Sequence, residues 1–142
     1  MRSLLDVNVL LALFDSGHLH HPRAMAWWSD NAEPGWASCP LTENGYLRIV
    51  SQKSYMRPVR LADALSTLRR QFSEGGHEFW PDDLSLLDPR AVDYRYLLGP
   101  KQIKAVYLLA LSVKHGGRLV TFDRGISTAA ARGATPESLI VP

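Results

Sequence analysis

One cysteine, Cys39, is too few for an intramolecular disulfide or a cysteine-based zinc site. Long apolar runs are missing too: nothing approaches the roughly 18–20 residues needed to cross a bilayer. The opening stretch from Met1 meets Asp6 too early to form the apolar region of a signal peptide. Neither charge is in excess, with 16 Lys and Arg against 14 Asp and Glu, which argues against a disordered acidic or basic tail. A local basic patch for RNA remains compatible with that balance. No Walker loop or GxGxxG is present, so no nucleotide cofactor is implied. Ser66, Ser112 and Cys39 lack an evident neighbouring base, so nucleophilic catalysis has no support. These absences lead to the expectation of a soluble, cytoplasmic protein with no membrane association.

What is present is enough apolar sequence, 46% of 142 residues, for one core, and we expect a single domain over 1–142. Short apolar runs alternate with helical patterns. That order predicts an α/β fold in three layers, α/β/α, with a central, mostly parallel sheet of 4–5 strands flanked by helices. Strands are expected at Ser3–Leu5, Gly35–Cys39, His77–Trp80, Arg118–Phe122 and Ser138–Val141. Helices are expected over His20–Asn31, after a Thr42 cap, over Arg60–Phe72, more weakly over Asp88–Leu98, and over Lys101–His115. Gly116-Gly117 ends the last of these.

In such a sheet, ligands gather at the carboxyl ends of the strands. Asp6 ends the first strand, Glu43 follows the second and Asp123 ends the fourth. Clustered carboxylates repel, and a fold tolerates them mainly with a cation between them. An all-oxygen donor set suits Mg²⁺ or Mn²⁺, which can activate water and stabilise charge developing on a phosphodiester. Asn8 is a candidate to orient Asp6 by a hydrogen bond. Each acid alone also reads as a cap or turn residue, and only their shared edge raises the catalytic reading. For RNA phosphates the candidates are Arg48, Arg57, Arg60, Lys101, Lys104 and Arg124, with Arg48 and Arg124 nearest the acidic edge. His18, His20 and His21 read as a solvated surface rather than a metal site. Trp27 and Trp28 suit base stacking or a partner interface, and at least one is expected in the core. The Leu61, Ala64, Leu65 and Leu68 stripe fits either core packing or a groove for a partner helix.

Three segments in order carry a resemblance. Leu5-Asp6-Val7-Asn8-Val9-Leu10-Leu11-Ala12-Leu13, Cys39-Pro40-Leu41-Thr42-Glu43-Asn44-Gly45-Tyr46-Leu47-Arg48 and Gly116-Gly117-Arg118-Leu119-Val120-Thr121-Phe122-Asp123-Arg124 are similar to the acidic motifs of PIN-domain toxins of the VapC family. The similarity runs essentially from end to end. It implies the PIN fold and a Mg²⁺- or Mn²⁺-dependent endoribonuclease of a toxin–antitoxin pair, with Asp6, Glu43 and Asp123 as metal-site acids. Thr42, Asn44, Thr121, Asn8, Arg48 and Arg124 would support those acids or the substrate. The resemblance also implies a VapB-like antitoxin, a homodimer, and promoter DNA contacted only through the antitoxin complex.

The third motif departs from the family pattern. Aligned on Tyr107-Leu108-Leu109, Ala105 stands where an Asp is expected and Lys104 where a Thr is common. A lost carboxylate predicts impaired metal binding or water activation. Ala105 is either an introduced Asp→Ala change or natural to a weakened relative. Two other readings are open: a PIN-like protein that binds antitoxin or RNA without cutting, and a phosphatase or phospho-receiver domain. A phosphatase of the haloacid-dehalogenase kind would want Asp where Asn8 stands, and a receiver would have to use Asp82 or Asp83.

Overall fold

The computed structural model describes every residue from Met1 to Pro142. Five strands, β1 (Ser3–Leu5), β2 (Trp36–Ser38), β3 (His77–Phe79), β4 (Arg118–Val120) and β5 (Leu139–Ile140), form one sheet in the order β3-β2-β1-β4-β5. Every pairing in it is parallel. The helices are α1 (Val7–Phe14), α2 (His21–Asn31), α3 (Pro40–Val50), α4 (Leu61–Ser73) and α5 (Ile103–Lys114).

Alternation along the strands builds the three expected layers, because successive side chains point to opposite faces. Leu4, Ala37 and Leu119 join one core half with Val106, Leu108, Leu109 and Leu111 of α5. Their neighbours Leu5, Trp36 and Val120 join the other half, with Val9 and Leu10 of α1, Tyr46 of α3 and Leu68 of α4. Leu61 is exposed while Ala64 and Leu68 are buried, so the α4 stripe faces the core over part of its width.

Several boundaries differ from the sequence expectation. Helix α3 begins at Pro40, not after a Thr42 cap. Thr42 lies in its first turn, and its hydroxyl accepts the Cys39 N–H at 3.0 Å. Strand β4 stops at Val120: the Thr121 N–H still donates to the Ile140 carbonyl of β5 at 3.0 Å, and the Phe122 N–H then leaves the sheet for the Asn8 side chain at 3.1 Å. The segment around Asp88–Leu98 is turns with one 3-10 turn at Tyr94–Tyr96, not a helix. There Asp88 accepts the Arg90 amide and Asp93 the Arg95 amide, local bonds that compete with a helical ladder. A 3-10 turn, Pro100–Gln102, precedes α5. Gly116 after α5 has φ of +69°, the left-handed geometry that a helix-ending glycine supplies without strain. No helix is long and apolar enough to cross a membrane.

Candidate active site

The chain runs from β1 outward to β2 and β3, then returns to place β4 on the other side of β1. The switch point therefore falls between β1 and β4, where open α/β sheets form their clefts. Asp6 leaves the end of β1 and Asp123 lies just beyond β4, so two of the three expected acids flank it.

Asp6 is 1% exposed and caps α1, its Oδ1 accepting the Val7 N–H at 2.7 Å. Its Oδ2 accepts the Thr121 hydroxyl at 2.7 Å. Thr121 is a hub: its oxygen also accepts the Asn8 amide at 3.2 Å and the Asp123 N–H at 3.1 Å. Asn8 is linked to Asp6 through the Thr121 hydroxyl. Half-buried Asp123 accepts the Gly125 N–H at 2.8 Å. Gln102, a residue without a recognisable sequence signal, ties the entry to α5 to this turn by donating to the Gly125 carbonyl at 2.6 Å.

Glu43, in the first turn of α3, accepts the Ser38 hydroxyl at 3.2 Å. Burial pushes its carboxyl above the ordinary range, the Ser38 bond opposes that, and the charge of Asp82 adds to it. Ser38 also lies 2.8 Å from His77 Nε2. His77 stacks on Phe72 at 3.8 Å, and its pKa falls to about 4, from burial first and the Arg2 charge second. It is a neutral imidazole near pH 7. The period-two pattern gave no sign of this Ser38–His77 support behind Glu43.

The remaining candidates divide. Thr42 is fully buried and bonded only to Cys39, so it shapes the helix start. Asn44, Arg48, Lys101 and Arg124 are exposed. Arg57 is engaged with Asp15, and Arg60 with Asp63. His20 stacks on Phe122, His21 meets the Ala12 carbonyl and His18 accepts the His20 amide, so the histidines knit a loop together. Trp27 and Trp28 are half-buried, with Trp28 edge-on to the core residue Trp36. Burial pushes the Cys39 thiol up to about 11, which makes it a poor nucleophile.

Ala105 is buried in the first turn of α5, and Lys104 beside it turns inward: its ammonium lies 3.1 Å from Asp6 Oδ1. Oxygen-only donors have the right chemistry for a hard divalent cation. The arrangement does not match it. No three His, Cys, Asp or Glu side chains come close enough to share an ion, and the cation nearest Asp6 belongs to the chain itself. The residues as folded therefore do not fit the Mg²⁺ or Mn²⁺ site that the resemblance implies.

No family model matches the chain. It is 49% identical to Ribonuclease VapC44 of Mycobacterium tuberculosis over 139 residues, 98% of each chain. It is 41% identical to Ribonuclease VapC39 of the same organism over 134 residues, 94% of this chain and 96% of that one. Among solved structures it resembles VapC20 of M. tuberculosis, a sarcin–ricin-loop-cleaving toxin, with a TM-score of 0.62 at 16% identity, covering 94% and 99% of the two chains. It also resembles Rickettsia felis VapBC2 bound to a DNA fragment from its promoter, with a TM-score of 0.58 at 10% identity, covering 99% and 98%. The two structures share the fold, and the curated relatives share the sequence nearly from end to end, so this chain belongs to the VapC ribonuclease family.

Proposed function

We propose that the chain is a VapC-type endoribonuclease toxin, a hydrolase of RNA phosphodiesters, in a form impaired at its third acidic position. The observation that carries the reading is the placement of Asp6 and Asp123 on either side of the sheet's switch point in a chain of this family. Asp6, Glu43 and Asp123 are its working acids. Thr121, with Asn8 behind it, sets the orientation of Asp6, and Ser38 sets that of Glu43. Exposed Arg48 and Arg124 supply cations for RNA phosphates beside the edge.

Mg²⁺ or Mn²⁺ dependence belongs to this plan when an acid stands at position 105. Such an ion supplies water activation and charge neutralisation. A VapB-like antitoxin is the expected partner, favoured by the likeness to the VapBC2 complex, with homodimerisation and promoter binding through the antitoxin as parts of the same proposal. A second reading is binding of antitoxin or RNA without cleavage. The Lys104–Asp6 contact favours it for this chain as it stands.

The test is cleavage of transfer and ribosomal RNA by the native chain, by Ala105→Asp and by Lys104→Thr/Ala105→Asp, each with Mg²⁺, Mn²⁺ or EDTA. The double variant is expected to cut with metal and not with EDTA. The chain with Lys104 and Ala105 is expected to show no metal-dependent cleavage, because nothing in it holds an ion beside Asp6. Equal rates for all three would overturn the impairment. Absence of cleavage by any of them would leave the binding reading in place of the nuclease.

A further inference from the structure

Asp6 is a buried carboxylate, and a buried charge persists only when paired or hydrogen-bonded. Three donors serve it: the Val7 N–H and the Lys104 ammonium on Oδ1, and the Thr121 hydroxyl on Oδ2. A carboxylate offers roughly four lone-pair directions, so about one remains open. Two of the donors are neutral. Lys104 supplies the only positive charge in contact with the group.

We infer that the Lys104 ammonium is a built-in counter-ion that takes the place of a divalent cation on Asp6, so that this chain excludes Mg²⁺ and Mn²⁺ from it. The inference rests on reading Asp6 as an active-site acid. Three features carry it. The first is position: a Mg²⁺ ion would sit about 2.0–2.1 Å from the same carboxylate, where an ammonium already at 3.1 Å would repel it. The second is charge. Relative to a Thr-Asp pair at these positions, Lys104 adds one positive charge and Ala105 removes one negative, together the charge of one divalent ion. The third is attachment. The ammonium is carried by α5, which packs on β1 and β4, so it meets Asp6 without losing the translational freedom that a free ion must give up.

The side chain of Lys104 is 48% exposed, so the contact is a gate at the cleft's edge rather than a sealed core pair. Leu41, Asp82, Ile103 and Tyr107 line the same open cleft as Lys104. Removing the ammonium strips Asp6 of its one charged partner and makes an external cation the best replacement. On this account Lys104→Gln gains metal affinity even with Ala105 in place.

The experiment measures Mn²⁺ binding by calorimetry and by the relaxation of water protons, on the full chain. Native protein, Lys104→Gln, Lys104→Met and Lys104→Thr/Ala105→Asp are compared. Both single variants are expected to bind Mn²⁺ at least tenfold more tightly than native, and added Mn²⁺ should raise their melting temperature but not that of the native chain. If the single variants bind as the native chain does while the double variant binds well, the counter-ion inference is overturned and the acidic site stands. If the double variant also fails to bind, both fall together. Should the single variants not fold, the native chain decides: the Lys104 ε-carbon resonance stays fixed through a millimolar Mg²⁺ titration if the inference holds. A shift at sub-millimolar Mg²⁺ would overturn it.

Discussion

The Thr121 hydroxyl donates to the Asp6 carboxylate at 2.7 Å across 115 residues of sequence, and it does so at the boundary where β4 sits beside β1. The same oxygen accepts from Asn8 and from the Asp123 amide. One small polar side chain therefore aligns residues from both acidic strand ends.

Thr121→Val keeps the shape and removes the hydroxyl, leaving a buried carboxylate short of a donor and two N–H groups short of an acceptor. A lost hydrogen bond to a charged group costs about 1.5–3 kcal/mol. Urea unfolding is expected to fall by that amount, with Thr121→Ser close to native. A Thr121→Val protein as stable as Thr121→Ser would remove Thr121 from this role.

The strand and helix pattern was legible because buried strands read as short apolar runs and α5 as a long periodic one. Asp6 and Asp123 could be placed at the ends of strands, and Glu43 just after the second strand, for the same reason. The supporting contacts were not. Ser38, His77 and Gln102 act through pairs 39 and 23 residues apart or through a loop carbonyl, and no period or spacing encodes such meetings. Lys104 was visible as a charge out of place, but its contact with Asp6 joins two distant parts of the chain and no spacing encodes it. The false helix at Asp88–Leu98 has a physical lesson: two aspartates capping their own neighbours outweigh a weak apolar pattern.

Asp15 lies in a clamp formed by Arg57 at 2.8 Å, the Tyr55 hydroxyl at 2.8 Å and the Gly17 amide at 3.0 Å. The Arg57 guanidinium, more than the other two donors, holds its carboxyl well below the usual 3.8. A depressed carboxyl adds stability above its unfolded pKa and loses it as pH falls through the folded one. Asp15→Asn should therefore melt below native at pH 7, with the gap closing below about pH 3.8. A gap that persists unchanged at pH 2 would show that the carboxylate's charge is not what the clamp uses.

His77 works over a different window. Its pKa of about 4 in the folded chain, against an ordinary 6.5, means that the unfolded chain binds the proton more readily between those values. Stability present above pH 6.5 is lost as pH falls toward 4. Arg2 and Glu78 are the charged neighbours that oppose and assist protonation. His77→Phe keeps the stack on Phe72 and removes the titration. Between pH 7 and 4.5 its melting temperature should fall less than that of the native chain. Glu43 titrates in both proteins with its pKa raised, which works in the opposite direction and largely cancels in the comparison. Equal falls would assign the acid sensitivity elsewhere.

Gly45 lies within α3, where an alanine would ordinarily add up to about 1 kcal/mol of helix stability. Here an added Cβ would stand 2.6 Å from Cγ2 of Val7. Val7 follows Asp6 at the start of α1, and Gly45 is two residues beyond Glu43, so the packing of α1 against α3 bears on the spacing of those acids. Overpacking of this kind costs about 1–3 kcal/mol and moves backbone. Gly45→Ala is expected to destabilise the chain despite the helix preference. In the Lys104→Thr/Ala105→Asp background, the one expected to cut, it should also slow RNA cleavage. Val7→Ala makes room for the new methyl group, so the double change Val7→Ala/Gly45→Ala should be more stable than the two single effects predict. Simple additivity in denaturant unfolding would mean that the two helices do not meet at this pair. The spacing of Asp6 and Glu43 would then have to be set by the strands alone.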